Sequence, residues 1–417
     1  MTTTYDTLET RSPQIREAAL MAALPAQVAY AQRQAPAFAR ILEGVNAHAV
    51  TSRHALARLP VTRKSELLAQ QQKARAAGGD VFGGFSALQY GAQMPRVFAS
   101  PGTIYEPDST RKDYWRMARA MYAAGFRPGQ LIHNSFSYHF VPAGAMMESG
   151  AHALGCTVFP GGTGQTEQQV QAMSELRPAG YIGTPSFLKI IVEKAAEMNI
   201  ALPTVTRALV SGEAFPPSLR DWLAARGIAG YQCYASADLG LIAYETEARE
   251  GLVLDEGVVV EIVRPGTGDP VAEGEVGELV VTTLNPDYPL IRFGTGDLSA
   301  VLPGTCPTGR TNTRIKGWMG RADQTVKVRG MFVHPGQIAE VARRFPEILR
   351  ARLVVSGEMA NDSMHFQVET ATSPEGLDQR IGEVIRDVTK LRGTVQLVAP
   401  GSLPNDGKVI EDARSYK

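Results

Sequence analysis

The sequence predicts an α/β protein: a large N-terminal domain of parallel βαβ units with a β-rich subdomain, followed by a small α+β domain. Three observations carry this. Between about residues 111 and 226, short apolar runs alternate with stretches of helical period, the pattern of a parallel sheet with crossover helices. Between 251 and 302 the chain becomes strand-rich with Gly/Pro turns. Beyond Gly320 the pattern changes again to a β-α-β-β-α-β order. The expected boundaries are 1–322 for the N-terminal domain, with the β-rich subdomain at about 251–320, and 323–417 for the C-terminal domain. A chain of 417 residues suits two to three domains of roughly 100–200 residues each.

Residues 12–75 are expected to be helical and basic-amphipathic, broken at Leu59-Pro60. Arg96 to Ala99 is a plausible strand. Arg111 to Ala124 follows as helix, Gln130 to Asn134 as strand, Val141 to Leu154 as helix and Cys156 to Phe159 as strand. Thr166 opens the next helix, with Gln169 in the capping-box position. Val170, Met173 and Leu176 recur at helical spacing and Pro178 ends the run. Tyr181-Ile182 is extended, Phe187 to Met198 helical, Arg207 to Val210 extended and Pro217 to Arg226 helical. Val258 to Val263 and Glu278 to Thr283 are the strands of the β-rich part. In the last domain Thr325 to Arg329, Arg352 to Val355, His365 to Val368 and Val395 to Val398 are strands, with helices at Gly336 to Arg344 and Leu377 to Leu391.

Composition limits the function. Lys+Arg and Asp+Glu are 42 each, so no global basic field draws nucleic acid. No apolar run reaches the roughly 18 residues of a membrane span, and the first eleven residues lack an apolar signal core. Cys156, Cys233 and Cys306 are far apart, with no CxxC pair, which argues against a structural zinc and suits a reducing compartment. The expectation is a cytoplasmic protein with no nucleic-acid or membrane partner; a homo-oligomer stays open.

Ligands of parallel sheets bind beyond the carboxyl ends of the strands, so the loops there are the ones to inspect. Ser100-Pro-Gly102-Thr103 is a Ser/Gly/Thr loop whose backbone N–H groups and hydroxyls suit phosphate oxygens; taken alone it is equally an ordinary turn. Ser211-Gly212-Glu213-Ala214 and Tyr234-Ala-Ser236-Ala-Asp238 each follow an apolar strand. Tyr234 can stack on a base and Asp238 can hold magnesium through oxygen; both acids equally suit helix starts. Asp297, after the Gly turn of Tyr288-Pro-Leu-Ile-Arg-Phe-Gly-Thr-Gly-Asp297, can accept both hydroxyls of a ribose. Gly320-Arg-Ala-Asp-Gln-Thr-Val-Lys-Val-Arg-Gly330 falls at the domain boundary, and Leu403-Pro-Asn-Asp-Gly-Lys408 puts a lysine on a turn near the C-terminus.

In this order, from Leu59-Pro-Val-Thr-Arg-Lys-Ser65 to Lys408, the pieces resemble the adenylate-forming acid–CoA ligases, in their phenylacetate–CoA ligase branch. The resemblance implies a mobile C-terminal domain and substrates ATP, CoA and a carboxylic acid, with Mg²⁺ and no zinc. It assigns Ser100, Gly102 and Thr103 to the phosphate loop. Gly212, Glu213 and Ala214 match the adenine side, Tyr234 the stacking aromatic, and Ser236 and Asp238 the segment that bears the metal ligand. Asp297 matches the ribose carboxylate, Arg321 its neighbouring contact, Asp323 the hinge, Gly330 the CoA path and Lys408 the adenylation lysine.

Three departures stand out. Ile104, Tyr105 and Glu106 replace the family's Thr-Gly-Lys, which puts a carboxylate where a cation is expected beside a triphosphate and costs electrostatic stabilisation. Asp238 replaces a Glu. Cys306 has Thr308 where some relatives carry a second cysteine. The segment bearing His133, Ser135, Tyr138 and His139 matches the acyl pocket and is polar, which suits a substrate with its own hydroxyl; the histidines equally suit capping or solvent. The acids implied are arylacetates or small branched hydroxy acids such as 2-hydroxyisobutyrate. Loading a carrier protein instead of CoA, and a non-catalytic nucleotide-binding homologue, are the alternatives.

Overall fold

The computed structural model describes residues 3–414, apart from 265, 320, 321, 323, 325, 334, 359, 360 and 405–407. It divides into two units, Met1–Gly320 and Arg321–Lys417.

The first unit opens with helices α1 (Pro13–Gln34), α2 (Pro36–Ile41) and α3 (Arg53–Ala57), a short strand β1 (Thr62–Arg63), and α4 (Lys64–Ala76). The predicted single break at Leu59-Pro60 is thus one of several. A hairpin follows, β2 (Val97–Ser100) and β3 (Ile104–Pro107), and then α5 (Ala118–Ala123). That helix is shorter than the 111–124 periodicity predicts. Asp113 (φ 50°) and Arg116 (φ 64°) are both left-handed, which ends helical geometry on their side. The Asp113 carboxylate accepts from the Met117 and Ala118 N–H groups at 2.8 and 3.1 Å, so it caps the helix late.

The βαβ series comes next: β4 (Leu131–Asn134), α6 (Ala143–Leu154), β5 (Thr157–Pro160), α7 (Thr166–Leu176), β6 (Gly180–Gly183), α8 (Pro185–Glu197), β7 (Arg207–Val210), α9 (Pro217–Ala224) and β8 (Ala229–Ser236). Strands β5, β4, β6, β7 and β8 lie side by side and parallel. β9 (Gly240–Tyr244) and β10 (Leu252–Leu254) extend the sheet antiparallel. β11 (Val258–Val263), β12 (Gly277–Thr283) and β13 (Phe293–Ser299) form a second, four-stranded sheet with β1, in the order β1-β13-β12-β11. β14 (Val301–Leu302) and β15 (Arg314–Ile315) return to the first sheet, whose nine strands run β14-β15-β10-β9-β8-β7-β6-β4-β5. One core lies between the N-terminal helices and the second sheet, and another beneath the parallel strands.

In the second unit, β16 (Val326–Val328) and β17 (Met331–Val333) form a hairpin, followed by α10 (Pro335–Arg343). β18 (Ile348–Glu358) and β19 (Asn361–Thr370) form a long hairpin, α11 (Leu377–Thr389) packs on it, and β20 (Thr394–Val398) and β21 (Ile410–Asp412) complete a sheet of order β20-β19-β18-β21. Its core is its own, built around Leu353, Phe366, Ile381 and Ile385. Among the described residues no helix is long and apolar enough to cross a membrane.

Candidate active site

The segment expected to form the phosphate loop is the bend of the β2–β3 hairpin, in which Ser100 pairs with Ile104 and Phe98 with Glu106. The chain turns through positive φ at Gly102 (97°) and Thr103 (59°). Glycine adopts this freely, whereas threonine is strained there and must be held by its surroundings. Helix α4 supplies that hold. The Gln71 amide donates to the Tyr105 carbonyl at 2.8 Å, and the Tyr105 N–H donates back to Gln71 Oε1 at 2.9 Å. Gln71 is fully buried, so losing it would orphan two backbone groups.

Alternation along β3 separates its side chains. Tyr105 faces an open cleft of about 600 Å³ that Ser100, Gly102, Thr103, His139 and Phe140 also line. Glu106 faces inward and is 1% exposed. There it meets Asp238, whose Oδ2 lies 2.6 Å from the Lys64 ammonium. The two Glu106 oxygens and Asp238 Oδ1 are buried without hydrogen-bond partners. Burial first, then the Asp238 charge, pushes the Glu106 carboxyl up to about 8, against the opposing pull of Lys64. The Ser100 hydroxyl and N–H sit on the same carboxyl, out of hydrogen-bonding geometry, and favour its ionised form less than burial opposes it.

The expectation of a carboxylate facing the triphosphate is therefore corrected: Glu106 is buried on the side of β3 away from the cleft, where burial favours its protonated form. A stability consequence follows from the sign of the shift. The folded value lies above the ordinary 4.5, so the stabilisation is complete below that pH and is lost as pH rises toward about 8. Glu106→Gln should remove this slope. Relative to the parent, the variant should gain a few kcal/mol between pH 5 and pH 8 in denaturant unfolding. Parallel pH profiles for the two proteins would refute the assignment.

Of the residues expected at the nucleotide, Tyr234 and Ser236 lie on β8 and Asp297 on β13. Tyr234, near the carboxyl end of β8, donates its hydroxyl to Asp297 Oδ2 at 2.6 Å. The Trp318 indole N–H donates to Asp297 Oδ1 at 3.1 Å, and the Thr295 hydroxyl, accepting from the Asp297 N–H, fixes the turn. Ser236 Oγ accepts from the Leu239 N–H, closing the turn that carries Asp238. Glu213 Oε1 accepts from the Ser186 N–H at 2.7 Å, capping α8, and Gly212 is left-handed at φ 85°. Ala214 is half-buried beside them. Among the described residues no group of three or more His, Cys, Asp or Glu is arranged to hold a metal.

The four predicted acyl-pocket residues are divided between two environments. His133 and Ser135 are buried. The His133 ring stacks on Phe159 at 5.2 Å and Tyr181 at 6.4 Å between centroids. Its Nε2 meets Gln169 Oε1 at 2.6 Å. Gln169 spends its amide donors on the Gly162 and Gly164 carbonyls, so the hydrogen-bond network assigns the histidine proton to Nε2. Burial holds the imidazole below its ordinary value, and it is neutral. The capping-box reading of Gln169 is thereby overturned: Gln165, at φ 49°, caps α7 without a side-chain bond, and Gln169 turns into the sheet. Tyr138 accepts from the Asn134 amide at 2.8 Å, and burial and then Glu148 raise its hydroxyl. His139 is exposed on the cleft beside the phosphate loop.

In the second unit, Gly330 (φ 83°) and Arg329 (φ 46°) form the tight turn between β16 and β17. A Cβ on Gly330 would meet nothing within 4 Å, so the backbone conformation, not crowding, calls for glycine. Lys408 is exposed just before β21. Arg321 and Asp323 lie outside the described residues. Sequence reasoning missed Trp318, Gln71 and the placement of Lys64. The Thr-Arg-Lys-Ser run that joins β1 to α4 was visible, but not what it packs against.

Comparison with known proteins is consistent with this geometry. The AMP-binding enzyme family matches residues 112–285. A phenylacetate–coenzyme A ligase of Pseudomonas putida is 30% identical, over 85% of this chain and 83% of the relative. The chain belongs to the phenylacetate–CoA ligase family. The relative of that name from Thermus thermophilus is 29% identical, over 90% of this chain and 91% of its own length. Among solved structures, a 2-hydroxyisobutyryl-CoA ligase in complex with its acyl-AMP and CoA has the same fold. Its TM-score is 0.84 at 24% identity, covering all of this chain and 93% of that one. Within the family, the buried Glu106 and the Lys64–Asp238 pair mark how this ligase departs from the expected phosphate loop.

Proposed function

We propose that this chain is an ATP-dependent, AMP-forming acid–CoA ligase whose substrate is an arylacetate-like acid or a small branched hydroxy acid such as 2-hydroxyisobutyrate. The observation that carries the reading is the Tyr234–Asp297 pair: an aromatic ring and a carboxylate joined at 2.6 Å beside the carboxyl end of the parallel strands, where such sheets bind nucleotides. The family membership supports the acid and CoA as co-substrates.

In the first half-reaction the substrate carboxylate oxygen attacks the α-phosphorus, the bond to the bridging oxygen breaks, and pyrophosphate leaves. Two anions must meet, so the protein's contribution is positioning and charge neutralisation. Lys408 neutralises the carboxylate and α-phosphate, and Ser100, Gly102 and Thr103 cradle the leaving phosphates. In the second half-reaction the CoA sulfur attacks the acyl carbon, AMP leaves, and the thiol proton passes to solvent. Gly330 lies on the path of the CoA arm, and a rotation at Asp323 exchanges the two faces of the C-terminal domain. A magnesium ion, were it bound with the triphosphate, would supply charge neutralisation at the phosphates. Asp238 fits it as an oxygen donor, since Oδ1 is an unpartnered carboxylate oxygen.

The test is a CoA-thioester assay over aryl, short-chain and hydroxy acids, run beside ATP–pyrophosphate exchange. Thioester formation with free CoA supports the reading. Exchange without thioester would favour a carrier-protein acceptor, and neither activity would favour a non-catalytic homologue.

A further inference from the structure

We propose that Lys64, at the head of helix α4, supplies the phosphate-site cation that the loop itself lacks: the ammonium expected at position 106 has been transposed onto the helix beneath the loop. The inference rests on the ATP-dependent reading above.

The geometry comes from one face of α4. Lys64, Leu68 and Gln71 stand at i, i+4 and i+7, so they share a face. Gln71 clamps the Tyr105 backbone. Leu68 Cδ2 lies 3.5 Å from where a Cβ on Gly102 would stand. Lys64 therefore emerges beside the Ser100–Thr103 bend, one turn of helix before Leu68. Its ammonium sits on Asp238 at 2.6 Å and shares the neighbourhood of Glu106 and Ser100. The side chain is 36% exposed while that of Asp238 is 1% exposed, so Lys64 covers the carboxylate on its solvent side.

The charge pattern agrees. A lysine at 106, on the inward face of β3, would bring its ammonium to Asp238, the place Lys64 now fills. With an acid at 106, the cation on Asp238 comes from position 64. A lysine acts on phosphate as a flexible point charge, so it need not occupy a fixed place in the loop. From Asp238 it can swing to the β- and γ-phosphates as they settle on the Ser100–Thr103 bend, without moving the backbone.

The experiment measures ATP, pyrophosphate and AMP binding by calorimetry on the full chain. Lys64→Gln should weaken ATP and pyrophosphate by about 10–100-fold, the worth of a charge-assisted contact, and leave AMP within about threefold. AMP binding thus doubles as the check on folding, because a merely structural role would weaken all three alike. Lys64→Arg should recover most of the loss. Should Lys64→Gln fail to fold, the exchanged variant Lys64→Glu/Glu106→Lys carries the test, and ATP binding within about tenfold of the parent is expected. Unchanged ATP affinity in Lys64→Gln, equal losses for ATP and AMP, or a folded exchanged variant that binds AMP but not ATP would overturn the proposal. If the parent binds neither ATP nor AMP, the ligase reading itself fails.

Discussion

Lys408→Ala is expected to slow acyl-adenylate formation by on the order of 10²–10³-fold, the usual cost of removing one charge-stabilising donor from a reacting centre. It should largely spare thioester formation from a supplied acyl-adenylate. Lys408 is exposed, and the described chain on either side of it is anchored. Before it, the Leu403 N–H donates to Glu369 at 2.7 Å, and Arg350 donates to the Pro404 carbonyl. After it, the Val409 N–H donates to Gln324 Oε1 at 2.8 Å, and Ile410 pairs with Leu353 in the sheet. The measurement is pyrophosphate exchange against single-turnover thioester formation. Equal losses in both half-reactions would contradict the role.

Asp297→Ala should weaken ATP and AMP alike, by about 10–100-fold, since two hydrogen bonds from a sugar to a charged acceptor are lost. The parallel loss is the signature that separates Asp297 from Lys64, whose removal should reach only ligands bearing the outer phosphates. Calorimetric titration of both nucleotides checks it. Unchanged constants in a folded variant would take Asp297 out of the nucleotide site.

The parallel strands were legible because their residues obey local rules. Arg207–Val210 is an apolar run bounded by turns, and the strand occupies that span. What local rules miss is tertiary capture. The 111–124 stretch has helical period, yet Arg116 leaves the helix to reach Asp255 at 2.7 Å and the Leu239 carbonyl. The polar N-terminus carries no pattern at all, yet Glu9 is buried between Arg119 and Arg310, both at 2.8 Å. Their positions in the chain give no hint of the meeting. The same limit governs the site. Asp297 and Tyr234 were visible as residue types after strands, but Trp318 completes their cluster from outside either motif. Glu106 was visible as a missing cation, whereas its burial, and its meeting with Asp238 from the turn after β8, come from packing no local pattern shows. His133 and His139 were visible as one polar segment, which the turn after β4 divides between core and cleft.

The Tyr234–Asp297–Trp318 cluster also bears on which sugar the enzyme accepts. Both Asp297 oxygens receive a donor from the protein itself, one from a phenol and one from an indole. Each carboxylate oxygen has a second lone pair, so a ribose diol can bind there while the phenol and the indole stay in place. A 2′-deoxyribose gives up one hydroxyl, but the side-chain donor on that oxygen remains and no carboxylate oxygen is stranded. Strict rejection of a deoxynucleotide needs a stranded polar group to penalise it. This pocket keeps a spare donor for each oxygen, and so it should tell ATP from 2′-deoxyATP only weakly.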